Sequence, residues 1–449
     1  MRQKLLRAGA KELSYEIRGI VQKAEQVRRL GREISWENIG DPIQKQNTIP
    51  TWMKEIVAGL AMEDKSYGYV HSKGILETRE YLAQKTNAAG GVQISAGDIT
   101  FFNGLGDAIS KVYQFLDPTA RVIGPSPAYS THSSAEAAHA NHEPITYRLN
   151  PGNHWYPDLV DLENQVKYNK SIVGILLINP DNPTGMVYPN HILEAFVDIA
   201  RRYDLFIVAD EIYLNITYNG AKTSPIAQVI GEVPAISLKG ISKELPWPGS
   251  RCGWAEYYNR DKDPAFDALC QTLDNAKMME VCSTTLPQMA LRPIMEHEAY
   301  PEYRLALNKT LEQKSRHMQE LLADIPYIRF NESNGAFYNT ILFNEQYLND
   351  RQRLVIDNPE IEKVLQSWLA VPGLSQDFRF VYHLLAATGI CVVPVSSFCS
   401  PLKGFRVTLL ENDPDQFRKT FTTLRESIIE YIKSDPAVLH AGGSHLRRA

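Results

Sequence analysis

The sequence has no long apolar run. Its longest, IVGILLI from Ile172 and LFIVA from Leu205, are too short to cross a bilayer and have the length of buried strands. The opening MRQKLLRAGAKEL carries charges without an apolar segment behind them, so no signal peptide is expected. Cysteine is scarce. The five present, Cys252, Cys270, Cys282, Cys391 and Cys399, form an odd set with no CxxC spacing, which argues against a disulfide framework and for thiols in a reducing cytoplasm. Eleven histidines include no HExxH, and no metal site is expected. An excess of positive charge is missing too: 47 Lys and Arg against 52 Asp and Glu give a net charge of -5, so no basic field for nucleic acid exists. Repeats and low-complexity blocks are absent.

What is there is ordinary globular material in quantity. A chain of 449 residues, 44% hydrophobic, can bury a large core and is expected to form two domains. Leu13, Ile17, Ile20, Ala24 and Val27 recur at helical spacing and predict an amphipathic helix before the turn segment NIGDP. From Gly74 onward helical and strand text alternate: GILETREYLAQ and GLGDAISKVYQFL read as helices, and DITFFN, ARVIGP, SIVGILLIN, LFIVAD and PAISLKG as strands. Strands apolar throughout and separated by helices imply an α/β fold, a mostly parallel sheet sandwiched by helices, with ligands bound beyond the carboxyl ends of the strands. After a helix through RLALNKTLEQKSRHMQELLADI, the strands GAFYNTILF, GICVVPV and GFRVTLL suggest a smaller α+β domain. The expected division is an N-terminal segment over 1–50, a large domain over 51–310, a small domain over 311–435 and a flexible tail over 436–449.

The strand ends of the large domain offer a series of unlike chemical pieces. GLG, Gly104 to Gly106, stands between strand and helix, where backbone N–H groups and a helix N-terminus can cradle an anion; by itself such a glycine pair is a turn. NPDNPTG, Asn179 to Gly185, is also a turn by composition. Asp210 closes the apolar LFIVAD, where a salt bridge is the plain expectation. In GISKELPWPGSRCGW, Lys243 follows an apolar strand and precedes the Pro246 and Pro248 turn, so it reads as a lysine held at a strand end. A lysine so placed, its pKa lowered by partial burial and a nearby cation, is a nucleophile for carbonyl chemistry.

Taken in order, NPDNPTG, VADEIY and SK followed by PGSRCGW resemble the signature set of the class I/II aminotransferases, pyridoxal-phosphate enzymes of fold type I. Smaller matches extend over nearly the whole chain: IRGIV, NIGDP, Tyr69 followed by Gly74, NGLGDA, PSPAY, NGAFY, VPVSSF and GFRVTL. The resemblance implies pyridoxal 5'-phosphate as cofactor, with Lys243 holding its aldehyde as an imine and then moving the substrate proton. It implies that Asp210 pairs with the pyridine nitrogen, that Asn182 and Tyr213 hydrogen-bond the ring oxygen, and that Tyr129 stacks on the ring. Gly104, Leu105, Gly106, Ser242 and Arg251 would hold the phosphate, and Tyr69 would reach the phosphate of a neighbouring subunit in a homodimer. Arg406, with Gly40 and Asn182, would bind the substrate α-carboxylate. The activity implied moves an amino group between an L-amino acid and a 2-oxo acid. IRGIV is similar to alanine-type members, which favours a small substrate with glutamate or 2-oxoglutarate as partner. Two alternatives share the residues: a C–S β-lyase, and an effector-binding module without catalysis. The second is disfavoured because the roughly 40 residues ahead of NIGDP are too few for a DNA-binding domain.

Overall fold

The computed structural model describes residues 5, 6, 8–13 and 16–435, so the tail expected over 436–449 lies outside the described residues. Its centre is an eight-stranded sheet in the order Ile99–Asn103, Cys252–Tyr258, Ala235–Gly240, Phe206–Asp210, Ile172–Ile178, Arg121–Ser126, Thr146–Asn150 and Tyr156–Pro157. From Ala235–Gly240 to Thr146–Asn150 the pairings are parallel. The alternation along each strand explains why both faces need cover. Ile175, Leu177, Ile207 and Ala209 pack into one helical layer, while Leu176, Ile178 and Val208 pack into the other.

Cys252–Tyr258 runs antiparallel to both neighbours and was not read from the sequence. Its direction follows from the connection before it. A parallel return needs a crossover of about a dozen residues or more, usually helical, and the segment from Ile241 to Arg251 is a proline-broken turn. The strand therefore doubles back, and its first residue lies at the same edge of the sheet as the carboxyl ends of the parallel strands.

Ile328–Arg329, Tyr338–Phe343, Gly404–Thr408 and Val393–Pro394 form a second, antiparallel sheet of four strands. GICVVPV, expected as one strand, is split between two partners: Ile390–Cys391 pairs with Ser35–Trp36, and Val393–Pro394 with Gly404–Thr408. The boundary expected at 310/311 falls inside a continuous helix, Tyr300–Leu322, so no linker marks it. The N-terminal helix spans Glu16–Arg29 and buries Ile20, Ala24 and Val27 in the core beneath the smaller sheet; Leu13, counted on that face from its spacing, precedes the helix and is exposed. Among the described residues no helix is long and apolar enough to cross a membrane.

Candidate active site

The carboxyl edge of the large sheet and the near edge of the small one enclose a cavity of about 300 Å³. Leu105, Gly106, Tyr129, Asn182, Asp210, Tyr213, Ser242, Lys243, Arg251, Gly40 and Arg406 all line it. These residues span most of the chain, and the sheet topology alone makes them neighbours. Gly104 stands just behind, and Tyr69 lies away from the cavity, 85% exposed.

Lys243, expected at a strand end, sits in the turn three residues beyond the end of its strand at Gly240. Its Nζ donates to the carbonyl of Gly40 at 2.7 Å and lies 5.6 Å from the centre of the Phe337 ring. Gly40, expected as a backbone donor, is an acceptor here through its carbonyl. Asp210 ends its strand and is 3% exposed. No Lys or Arg lies within ion-pair distance of it among the described residues. Its Oδ2 is 3.0 Å from Nε2 of His132, and its Oδ1 accepts from the Ile212 N–H at 3.2 Å. The salt bridge that burial would ordinarily demand is therefore replaced by an imidazole, which leaves the carboxylate a free lone pair toward the cavity.

Arg251 and Gly104 make the anion cradle. Arg251 adopts a left-handed backbone, φ 50°, between a proline turn and its strand. That conformation is uncommon outside glycine and turns the side chain back across the N-terminus of the helix Leu105–Gln114. Its Nη2 would lie 2.2 Å from a Cβ at Gly104, whose φ of 81° also favours glycine. A guanidinium pressed against a helix N-terminus, with the positive end of the helix dipole beneath it, is a site for a phosphate group.

Arg406 is 2% exposed and has no carboxylate within ion-pair distance among the described residues. Nη1 donates to Asn182 Oδ1 at 3.0 Å and Nη2 to the Asn38 carbonyl at 2.7 Å, while the Tyr338 and Phe398 rings lie 4.4 Å and 5.1 Å from Cζ. A buried guanidinium held only by neutral groups keeps its charge for an incoming carboxylate. The segment that supplies these carbonyls is itself pinned: buried Lys45 pairs with Glu37 at 2.8 Å and Glu411 at 3.1 Å. Tyr213 is buried, its hydroxyl 3.1 Å from that of Tyr338, and burial followed by the Tyr338 contact pushes its pKa well up, so it stays a donor. Tyr129 caps the helix Ser130–Ala140, and its ring meets His132 edge-on with centroids 6.3 Å apart.

The family model for aminotransferase class I and II matches residues 38–422. The chain belongs to the class I and II aminotransferases. An uncharacterized aminotransferase of Methanocaldococcus jannaschii is 53% identical over 434 residues, 97% of this chain and 100% of that protein. The glutamate-pyruvate aminotransferase of Escherichia coli is 29% identical over 357 residues, covering 78% of this chain and 86% of that one. The alanine aminotransferase of Mycobacterium tuberculosis is 30% identical over 373 residues, 81% and 85% of the two chains. Among solved structures, an alanine aminotransferase from Pyrococcus furiosus superposes with a TM-score of 0.81 at 23% identity, over 97% of this chain and 100% of that one, which shows the same fold. The aminotransferase fold therefore carries the cavity described above.

The family implies pyridoxal phosphate, and the residues present fit it: an anion cradle, a lysine and a carboxylate without a cationic partner line one cavity. His132, Tyr338 and Asn38 belong to the cavity or its support and were not read from the sequence. His132 lies three residues beyond Tyr129, in the first turn of the helix that Tyr129 caps; that nearness was the only signal. Tyr338 was visible only as part of NGAFY, and Asn38 only as part of NIGDP.

Proposed function

We propose that this aminotransferase uses pyridoxal 5'-phosphate to exchange the amino group of a small L-amino acid, of alanine type, with 2-oxo acids, glutamate and 2-oxoglutarate forming the partner pair. The observation that carries it is the buried Arg406, without a carboxylate partner among the described residues, facing the same cavity as Lys243 and Asp210. In this reading Arg251, Ser242 and the backbone of Gly104, Leu105 and Gly106 hold the cofactor's phosphate, and Lys243 holds it covalently. Asp210, oriented by His132, keeps a proton on the ring nitrogen, while Asn182 and Tyr213 bind the ring oxygen and Tyr129 covers a ring face. When bound, the cofactor supplies an electron sink for the carbanion left by loss of the substrate's α-proton. Lys243, once released by the substrate's amino group, would be the base that takes that proton; among the described residues no other amine lines the cavity. Arg406 fixes the α-carboxylate bidentately, which directs the α-hydrogen.

The substrate side favours a small apolar group. Val21 and Ile39 line it, and the cavity's cations are Lys243, Arg251 and Arg406, each already engaged in this reading. The names of the alanine and glutamate-pyruvate aminotransferases to which the chain is similar support the same substrates. The distal carboxylate of glutamate would then meet a group from a second subunit. A homodimer also accounts for the exposure of Met62, Tyr67 and Tyr69 along one segment, and the reading places Tyr69 on the neighbouring subunit's phosphate. The free thiols of Cys252, Cys270, Cys282 and Cys391 suit a cytoplasmic enzyme.

A donor and acceptor screen of the purified protein, following oxo-acid formation together with thiol and ammonia release, tests the reading. Alanine with 2-oxoglutarate should give pyruvate; release of thiol or ammonia without oxo-acid exchange would make the chain an eliminase instead. Borohydride reduction and peptide mapping should place the pyridoxyl group on Lys243, and Lys243→Ala should lose nearly all turnover while still binding the cofactor.

A further inference from the structure

Tyr338 touches both halves of the site. It lies on the small sheet, opposite Thr408 in the register, and is 3% exposed. Its hydroxyl is 3.1 Å from the hydroxyl of Tyr213, and its ring lies 4.4 Å from Cζ of Arg406. The approach to the N-terminal segment is close enough that a Cβ at Gly40 would sit 2.0 Å from the Tyr338 hydroxyl, so only glycine at position 40 leaves it room. These contacts join the tyrosine proposed to serve the cofactor oxygen to the arginine proposed to serve the substrate.

Two hydroxyls exchange donor and acceptor roles by rotating their O–H bonds. With nothing else to meet, Tyr213 donates to Tyr338. An acceptor placed in the cavity beside Tyr213 would draw the Tyr213 proton to itself, and the Tyr338 hydroxyl would turn to donate to Tyr213. A donor that itself accepts a hydrogen bond is polarised and binds its acceptor more strongly. The groups acting on Tyr213 are Tyr338, Tyr129 and Arg406. Tyr338 is the one in hydrogen-bond contact. On its other side, the Tyr338 ring and that of Phe398 lie within cation–π range of the Arg406 guanidinium. With Asn182 and the Asn38 carbonyl they fix the plane of its fork.

We propose that Tyr338 is a positioning residue for both partners of the reaction: its hydroxyl turns the Tyr213 proton toward the cofactor oxygen, and its ring sets the plane in which Arg406 meets the substrate carboxylate. The proposal rests on the function proposed above and separates into a hydroxyl part and a ring part. Tyr338→Phe removes only the hydroxyl. A weaker Tyr213 donor leaves more negative charge on the cofactor oxygen, which holds the neighbouring proton more tightly. The visible absorbance of the holoenzyme should then titrate at higher pH, by roughly half a unit to one unit, the worth of one neutral hydrogen bond. KM for alanine and for 2-oxoglutarate should stay within about twofold, since the ring remains on Arg406.

Removing the ring should add a second effect. In whichever of Tyr338→Met and Tyr338→Leu keeps the wild-type circular dichroism, KM should rise roughly threefold to thirtyfold for both substrates together. An unchanged titration in Tyr338→Phe overturns the hydroxyl part. Equal KM values in the phenylalanine and aliphatic variants overturn the ring part. These failures are distinct from failure of the functional reading, in which the unaltered protein mixed with pyridoxal phosphate would show no visible absorbance that depends on Lys243.

Discussion

At the scale of single residues, the site is built by withholding partners. Asp210 and Arg406 are both buried, and the side-chain hydrogen bonds each makes go to neutral or imidazole groups, with Arg406 Nε left without a partner among the described residues. Either would be an expensive burial in an ordinary core. The alternative for Arg406, a structural ion pair, predicts a carboxylate beside it, and none lies there among the described residues. Arg406→Ala should therefore weaken all amino-acid and oxo-acid substrates alike, by about tenfold to a hundredfold for each charge-assisted bond lost, while leaving cofactor binding nearly unchanged. Arg406→Lys should recover only part, because an ammonium cannot present a planar fork. Steady-state kcat/KM for two amino acids of different side chain checks this, and unequal losses would make Arg406 a reader of the side chain instead. The motif order pointed to both residues. Their lack of charged partners could not be read from it, because pairing depends on which side chains three distant segments bring within about 4 Å.

At the scale of elements, the helix Leu105–Gln114 and the turn before Cys252–Tyr258 act as one unit. The Arg251 side chain passes over Gly104, and a methyl group there would strike its guanidinium while also straining a left-handed backbone. Gly104→Ala should raise the Kd for pyridoxal phosphate by roughly tenfold or more and leave kcat at saturating cofactor close to wild type. Absorbance titration of the apoenzyme measures it; an unchanged Kd with a lowered Tm would leave Gly104 a purely structural glycine. The helix itself was legible from its period, and so was the strand before it. The antiparallel course of Cys252–Tyr258 was not, since CGWAEYY carries no mark of direction and its burial on both faces resembles that of the parallel strands. Ile390–Cys391 and Val393–Pro394 were merged for a related reason: apolar text reports burial and is silent about which sheet supplies the hydrogen bonds.

At the scale of the whole molecule, two buried groups pull acid stability in opposite directions. Burial, with Arg379 and Arg353 nearby, lowers the pKa of His383 to about 4, and its Nδ1 accepts from the Leu354 N–H at 3.3 Å, as a neutral imidazole must. The unfolded chain binds this proton near the ordinary value of 6.5, so the contribution of His383 is whole above that pH and is lost as the pH falls toward 4. The difference corresponds to about 3 kcal/mol. Asp181 has the reverse sign. Burial raises it to about 7 against the Thr184 hydrogen bonds, with Asp210 adding to the rise, so its contribution is present below the ordinary carboxylate value of 3.8 and is lost as the pH climbs to 7. His383→Asn keeps an acceptor for Leu354 and should flatten the acid-side loss relative to the unaltered protein, while Asp181→Asn should raise stability most near pH 7. Denaturant midpoints from pH 4 to 7 test both, and parallel curves for the variant and parent proteins would remove either group from the balance.

The sequence by itself determined the layered α/β architecture, because the period of apolar residues is fixed by the geometry of strand and helix and needs no distant partner. It also determined the family and the order of the chemical pieces, since turn residues and strand-end side chains are local text. Tertiary structure decided what those pieces meet. Only the folded chain sets His132 against Asp210, makes one tripeptide's carbonyls receive both Lys243 and Arg406, and wedges Tyr338 between cofactor-side and substrate-side groups. Such contacts join residues as many as 368 positions apart. They follow from how two sheets and an N-terminal segment close on each other, a geometry fixed by the burial of the whole core and written in no single motif.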